Sequence, residues 1–242
     1  AFFCVESEIS KALAPIAIGE GAVVIDNSSA FRMEENIPLV VPEVNPESLQ
    51  EHKGLIANPN CSTIQMLVPL KPIHDKYKIK RIIVSTYQSV SGTGKNAIDE
   101  LDNQAKAYCA NEEISYSVYP YQILFNAIPH IDSFLQTGYT KEEMKMVNET
   151  NRILDREIKI SATTVRVPIF RGHSESVNIE TELPFEIEEI KELLSNAPGV
   201  TVIDEPEEKL YPMPIFSEGT SDVFVGRIRR DFTVENGLNM WI

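Results

Sequence analysis

Cys61 is the residue whose type and place in the chain most directly suggest chemistry. It follows Asn58-Pro59-Asn60, a turn sequence that ends in a good helix cap, and it opens a segment of helical character. A thiol in the first turn of a helix meets the positive end of the helix dipole and unpaired backbone N–H groups, which lower its pKa and favour the thiolate. The same N–H groups can stabilise an oxyanion on a bound carbonyl. From position alone, a buried structural cysteine accounts for Cys61 equally well. Cys4, in a strand-like run, and Cys109, at a helix end, lack this setting and read as structural.

A cysteine nucleophile needs a base that is close in space and usually distant in sequence. His173 lies in Arg171-Gly172-His173-Ser174-Glu175, just after a strand-like run, where Gly172 predicts a turn that could present the imidazole. On sequence alone a surface or satisfied core histidine is the simpler account. His52 and His74 sit in charged, surface-like runs, and His130 follows a proline. No two histidines have metal spacing and there is no Cys-x-x-Cys, so no metal site is expected. Arg166, in Thr164-Val165-Arg166-Val167-Pro168, and Arg32, in Ser29-Ala30-Phe31-Arg32-Met33, stand in apolar or turn settings. A buried guanidinium is costly unless it meets an anion, and its planar fork suits a carboxylate or phosphate. An internal salt bridge or a solvated strand face explains both without a ligand. Glu142 and Lys145 share a helix face, most often an ordinary surface ion pair.

Ser91-Gly92-Thr93-Gly94-Lys95-Asn96-Ala97 is not a Walker A loop, because Ser89 and Asn96 stand where Gly and Ser or Thr are needed. It matches the relaxed Gly-x-Gly-x-x-Ala dinucleotide pattern, but no following parallel strand with a suitably placed acid is evident. A glycine loop at a helix start can still contact a cofactor through its backbone.

These residues need elements to hold them. Ile9, Leu13, Ile16 and Ala17 have helical spacing within residues 5–18, and Ala22–Asp26, Leu39–Val41 and Leu55–Ala57 are short buried-strand runs. Such unalternated strands suggest a parallel sheet covered on both faces. From Cys61 the pattern changes: a helix to about Leu70, limited by Pro69 and Pro72, then a strand over Lys80–Gln88 and a helix from Lys95 to about Tyr108. Thr140 and Glu143 form a capping box for a helix to about Ile153. Strands over 160–170, 176–182, 200–204 and 223–230, with a helix at 186–195, predict a mixed α+β domain with an antiparallel sheet. The 242 residues are 43% hydrophobic, enough for a sizeable core, and carry a net charge of −14 with no basic cluster. That balance argues against nucleic acid and anionic membrane surfaces as partners, and no apolar run reaches the roughly 18 residues of a membrane span. Three cysteines make no disulfide framework and suit free thiols in a reducing, cytoplasmic setting. The chain begins without Met and ends in mid-strand pattern, so it reads as a fragment.

Taken together, Asp26-Asn27-Ser28-Ser29-Ala30-Phe31-Arg32, Val41-Pro42-Glu43-Val44-Asn45, Asn58-Pro59-Asn60-Cys61-Ser62-Thr63, residues 85–92, Arg166-Val167-Pro168, Gly172-His173-Ser174-Glu175-Ser176 and Val225-Gly226-Arg227-Ile228-Arg229 resemble the aspartate-semialdehyde dehydrogenase family, in order and over nearly the whole chain. The resemblance implies NADPH-dependent reduction of L-aspartyl-4-phosphate to aspartate-4-semialdehyde with release of phosphate, in lysine, methionine, threonine and diaminopimelate biosynthesis. It implies Cys61 as the nucleophile that forms a thioester, His173 as acid/base and Gln88 as the residue that orients the intermediate. It further implies Arg166 on the substrate α-carboxylate, Glu142 on its amino group and Asn60 beside the nucleophile. Arg32 and Lys145 match phosphate ligands, and Ser91 and Gly92 a loop that contacts NADP. The expected fold is a Rossmann-like NADP-binding domain, truncated, over residues 1–60, then a glyceraldehyde-3-phosphate-dehydrogenase-like catalytic and dimerisation domain with a mixed or antiparallel sheet over 61–242, assembled as a homodimer or homotetramer.

The chain departs from the family in three ways, one being that the sequence stops just after the Met240-Trp241 segment, where the family has a closing helix. It has no glycine-rich turn at its start, and Cys4-Val5-Glu6-Ser7 stands where the family has Ser-Ala-Gly-Gly, so Glu6 would repel a cofactor phosphate. Two other functions fit parts of the pattern. A thiol hydrolase or acyltransferase would use Cys61 and His173 but leave Arg32 and Lys145 idle; a non-catalytic relative would account for the Cys4–Ser7 departure.

Overall fold

The computed structural model describes residues 1–242. Strands β1 (Phe2–Phe3), β2 (Val24–Asp26) and β3 (Leu55–Ala57) pair in parallel in that order. Parallel neighbours need a crossover, and helix α1 (Ser7–Gly19) supplies the first. The face that α1 buries differs from the one its apolar spacing marks: Ser10 and Ala14 are buried, whereas Ile9, Leu13 and Ile16 are exposed. A polar tie sets the face, because the Ser10 hydroxyl donates at 2.6 Å to the buried carboxylate of Asp26. Leu39-Val40-Val41 is buried but forms no strand beyond a bridge from Leu39 to Ala57. The Asn45 amide satisfies its backbone instead, accepting from the Val41 N–H and donating to the Leu39 carbonyl, both at 2.9 Å.

After β3 the chain turns through Asn58-Pro59-Asn60 into α2 (Cys61–Tyr77), which runs straight through Pro69 and Pro72 rather than stopping near Leu70. Each proline removes one intrahelical donor. The helix nevertheless buries Met66, Leu67, Leu70, Ile73 and Tyr77 in the main core, and that burial holds it together.

The rest of the chain forms β4 (Ile79–Gln88), α3 (Lys95–Cys109), α4 (Lys141–Ile153), β5 (Lys159–Arg166), β6 (Ser174–Thr181), α5 (Ile187–Ser195), β7 (Val200–Val202), α6 (Pro214–Ser217), β8 (Val223–Asp231) and β9 (Gly237–Trp241). These strands make one six-stranded sheet, order β5-β4-β6-β9-β8-β7. It is mixed: β4 with β5 and β7 with β8 are parallel, and the other pairs antiparallel. Ile82, Val84, Val177, Ile179, Leu238 and Met240 face the helices in one core, while Ile83, Ser85, Tyr87, Ser176 and Asn178 on the other face stay partly or fully open. The architecture is therefore a short parallel α/β layer followed by an α+β unit, as expected. No helix is long and apolar enough to cross a membrane.

Helix α4 ties the two sheets together. Its start carries the capping box: Thr140 accepts from the Glu143 N–H at 3.2 Å, and Glu143 accepts from the Thr140 N–H at 2.8 Å. The other Glu143 oxygen accepts from the Thr164 N–H of β5 at 3.1 Å. Near its end, Arg152 donates to the carbonyls of Arg32, Glu34 and Ile37. Thr140→Ala is expected to cost about 1 kcal/mol of stability, the usual loss of a side-chain cap, in urea unfolding. An unchanged unfolding midpoint would contradict the role given to this cap.

Candidate active site

The site is built where strand ends from both sheets meet. Parallel sheets gather ligands at the carboxyl ends of their strands, and β3 passes from that edge through Asn60 directly into Cys61. On the larger sheet, Gln88 and Arg166 are the last register partners of β4 and β5, and their side chains lie on the helix-covered face. Tyr87 pairs with Ser174, so His173 stands just ahead of β6 at the same edge. Gly172 aims it. At φ +82° the turn favours glycine, and a Cβ there would lie 2.8 Å from Ser217 Oγ and 3.2 Å from Pro214 Cα.

Asn60 caps α2 as the turn sequence predicts: its Oδ1 accepts from the Ser62 and Thr63 N–H groups at 3.1 and 3.4 Å. Its Nδ2 donates to Glu142 Oε1 at 3.0 Å, and Gln88 Nε2 donates to the same oxygen at 3.2 Å. Lys145 bonds the other Glu142 oxygen at 3.1 Å and Asp132 at 2.8 Å. Glu142 and Lys145 are therefore no surface pair, since Glu142 is only 5% exposed. Although burial opposes it, Lys145 together with the Asn60 and Gln88 amides holds the Glu142 carboxyl below its usual range. Asp132 and Glu142 outweigh desolvation and raise Lys145. The carboxylate and the ammonium are both charged at neutral pH.

Cys61 is solvent-exposed at the mouth of a cavity of about 330 Å³ that His173, Gln65, Pro212 and Trp241 also line. Gln65, one turn along α2, donates to the His173 carbonyl at 3.1 Å and ties helix to histidine. The helix start does not lower the thiol pKa as position alone suggests. The recess around the sulfur and the Glu142 carboxylate push it up, and the Ser62 hydrogen bonds oppose them only in part. Cys4 and Cys109 are not buried structural thiols either; both are exposed. His74 corrects a third expectation. It is buried, and its Nδ1 accepts from the Ile79 N–H at 3.2 Å.

His173 Nδ1 accepts from the Ser89 backbone N–H at 3.1 Å, and the Ser89 hydroxyl lies 3.0 Å away. The neutral ring therefore carries its proton on Nε2. Burial and the Arg166 charge push its pKa down to about 4. Arg166 is buried, donates from Nη1 to the Ser89 carbonyl at 2.6 Å, and has no partner for Nε. No carboxylate of the chain pairs it, which suits a fork reserved for an anion. Ser91 Oγ lies 3.0 Å from Ser89 Oγ. A Cβ on Gly92 would stand 3.2 Å from Arg166 Nη1 and 3.5 Å from the His173 ring.

Arg32 is buried and bonds Glu149 Oε1 at 3.1 Å and the Asn27 carbonyl at 2.8 Å. Together with Lys145, Lys141 and Ser29 it lines a second cavity of about 230 Å³. The expected residues fall into two hydrogen-bonded groups, Arg32, Asn60, Gln88, Glu142 and Lys145 around two carboxylates and Arg166, His173 and Ser91 around Ser89, with Cys61 beside His173 in the cavity and Gly92 close to Arg166 and His173. Four more were not expected: Glu149, Asp132, Ser89 and Gln65. Glu149 carried a usable signal, since 142, 145 and 149 fall on one face of a capped helix. Ser89 acts largely through its backbone and Asp132 through a carboxylate carried on a loop, and neither carried one.

The depressed His173 pKa has a stability consequence. As pH falls from about 6.5 to about 4, the unfolded chain takes up a proton that folded His173 refuses, so folded stability drops across that window and is unaffected above it. In urea unfolding, the wild-type minus His173→Asn difference is expected to be flat above pH 6.5 and to fall steadily towards pH 4. A pH-independent difference would show that His173 titrates normally.

The description "Semialdehyde dehydrogenase, NAD binding domain" matches residues 1–52, and "Semialdehyde dehydrogenase, dimerisation domain" matches residues 70–242. The aspartate-semialdehyde dehydrogenase of Aquifex aeolicus is 57% identical over 246 residues, covering 100% of this chain and 72% of that protein. That of Bacillus subtilis is 53% identical over 251 residues with the same coverage. The crystal structure of Vibrio cholerae aspartate semialdehyde dehydrogenase II complexed with ASA superposes with a TM-score of 0.96 at 47% identity, covering 100% of this chain and 72% of that one. With both descriptions matched in order and this identity across its whole length, the chain belongs to the aspartate-semialdehyde dehydrogenase family.

Proposed function

We propose that the protein interconverts L-aspartyl-4-phosphate and L-aspartate-4-semialdehyde plus phosphate, with NADP as cofactor and Cys61 as nucleophile. The observation that carries this reading is the convergence of Cys61, Gln88, Glu142, Arg166 and His173 on one edge of the sheet, beside a cavity bearing Arg32 and Lys145.

Arg166 takes the substrate α-carboxylate through its free fork, and Glu142 takes the amino group. Burial raises Cys61 most and the Glu142 charge adds to it; seating an ammonium on Glu142 offsets that second contribution and moves Cys61 towards the thiolate. Arg32 and Lys145 hold the phosphate dianion. Cys61 Sγ attacks the acyl carbon, the C–O bond to phosphate breaks, and a thioester remains on Cys61. The N–H groups at the start of α2, together with Gln88, support the oxygen that carries the developing charge. NADPH, when bound, supplies the hydride that reduces the thioester. His173 donates a hydrogen bond from its Nε2–H to the reacting oxygen, which supports the negative charge as the hydride adds and until the C–S bond breaks to give the aldehyde and the Cys61 thiolate.

A dinucleotide suits the carboxyl edge of β1–β3, where Asn27, Ser29 and Asn58 offer uncharged polar side chains. Ser91 and Gly92 stand close to His173, where they would contact its nicotinamide end. Glu6 and Glu8 at the start of α1 oppose a phosphate placed there. The division into a cofactor domain over 1–60 and a catalytic and dimerisation domain over 61–242 is supported by the change of sheet at Cys61. A homodimer or homotetramer is supported by the dimerisation-domain match and the open sheet face. The reading includes a role in lysine, methionine, threonine and diaminopimelate biosynthesis, and the three free cysteines support a reducing, cytoplasmic setting for it.

Phosphate-dependent NADPH formation from aspartate semialdehyde by the full-length protein tests the reading. Cys61→Ala is expected to abolish it, and turnover that survives would overturn the mechanism. Arg166→Lys keeps the charge but loses the fork, so KM for the semialdehyde should rise about 10-fold or more, the value of a charged hydrogen bond. An unchanged KM would remove Arg166 from the substrate site.

A further inference from the structure

Glu149 lies on α4, is only 1% exposed, and stands apart from the Cys61 cavity and from the hydrogen bonds that Glu142 itself makes. Its carboxylate nevertheless spans two parts of the site. Oε1 accepts from Arg32 Nη1 at 3.1 Å, and Oε2 accepts from the backbone N–H of Asn60 at 2.6 Å. Arg32 lines the cationic cavity with Lys141 and Lys145, and Glu149 itself forms part of its wall behind Arg32. Asn60 caps the helix that begins at Cys61 and bonds Glu142. Arg32 is held from behind as well, through the Asn27 carbonyl at 2.8 Å and by Arg152 on its own carbonyl.

Both groups facing Glu149 are donors. A carboxylate accepts through each oxygen and satisfies both, whereas an isosteric amide has one acceptor and presents an N–H to the other donor. This part of the structure therefore calls for a carboxylate rather than simply a side chain of that size. We propose that Glu149 is a positioning residue that fixes the Arg32 guanidinium for an oxyanion in the cationic cavity and, through the same carboxylate, fixes Asn60 and the helix start that carries Cys61. It makes the anion site and the nucleophile one rigid unit. The inference rests on the proposal that Arg32 and Lys145 hold phosphate.

The test uses the full-length protein and the phosphate-dependent oxidation of aspartate semialdehyde, with inorganic phosphate varied. Glu149→Gln is expected to raise the phosphate KM at least about tenfold and to lower kcat, while KM for the semialdehyde stays within about twofold. Glu149→Asp keeps both acceptors and is expected to recover part of the phosphate KM; it also carries the test if the glutamine variant does not fold. A purely structural role predicts lower kcat with both KM values intact, and that result would overturn the proposal. Arg32→Ala measured alone and combined with Glu149→Gln isolates the route. If Glu149 acts on phosphate through Arg32, adding Glu149→Gln to Arg32→Ala raises the phosphate KM no further but still lowers kcat through Asn60. An equal rise in both backgrounds would overturn the proposal. A phosphate KM that rises in Arg32→Ala but not in Glu149→Gln overturns the role of Glu149 and leaves the phosphate site standing. A phosphate KM unchanged in Arg32→Ala overturns the phosphate site and this inference with it.

Discussion

Two buried carboxylates on one helix face, Glu142 and Glu149, constrain most of what surrounds them. A carboxylate taken out of water is costly unless every oxygen finds donors, and removing a partner leaves an uncompensated charge. Here the donors are the residues of the site. Glu142 recruits Asn60, Gln88 and Lys145; Glu149 recruits Arg32 and the Asn60 backbone. The arrangement is over-determined, because moving any one of these side chains breaks a bond that a buried charge cannot do without.

Sheet register does the rest. Gln88 and Arg166 emerge together because they end neighbouring strands at paired positions, and His173 precedes the strand that pairs on the other side of β4. Cys61 arrives from the smaller sheet, at the edge where its three parallel strands finish. The reacting groups thus come from segments far apart in sequence, each fixed by backbone pairing or by a cap. Ser89 links two of them at once, since its N–H sets the His173 tautomer and its carbonyl holds Arg166. The electrostatics follow from this placement. Burial and Arg166 keep His173 neutral, and burial and Glu142 raise Cys61.

What the sequence disclosed depended on how local the cause was. The Thr140–Glu143 box and the Asn60 cap were legible because a cap is written within four residues. The strand β4 was legible through its length and β-branched content. The full run of α2 was not, because burial of one face across the core outweighs Pro69 and Pro72. The outward face of α1 was missed because a single polar tie, Ser10 to Asp26, sets its orientation. The place of Cys61 is legible but the direction of its pKa is not: the burial that raises it most is tertiary, and Glu142, which adds to it, is 81 positions away in sequence. Glu149 escaped although its spacing was visible, because nothing local says that a charged residue on a helix face points inward.

The central claim is that a covalent acyl group forms on Cys61 before reduction. Intact-mass and peptide mapping of full-length protein mixed with L-aspartyl phosphate, without nicotinamide cofactor, and quenched in acid tests it most directly. The account predicts one aspartyl group per active site, confined to the peptide carrying Cys61 and removed by hydroxylamine. Unmodified protein, or an adduct carried on another residue, would contradict it.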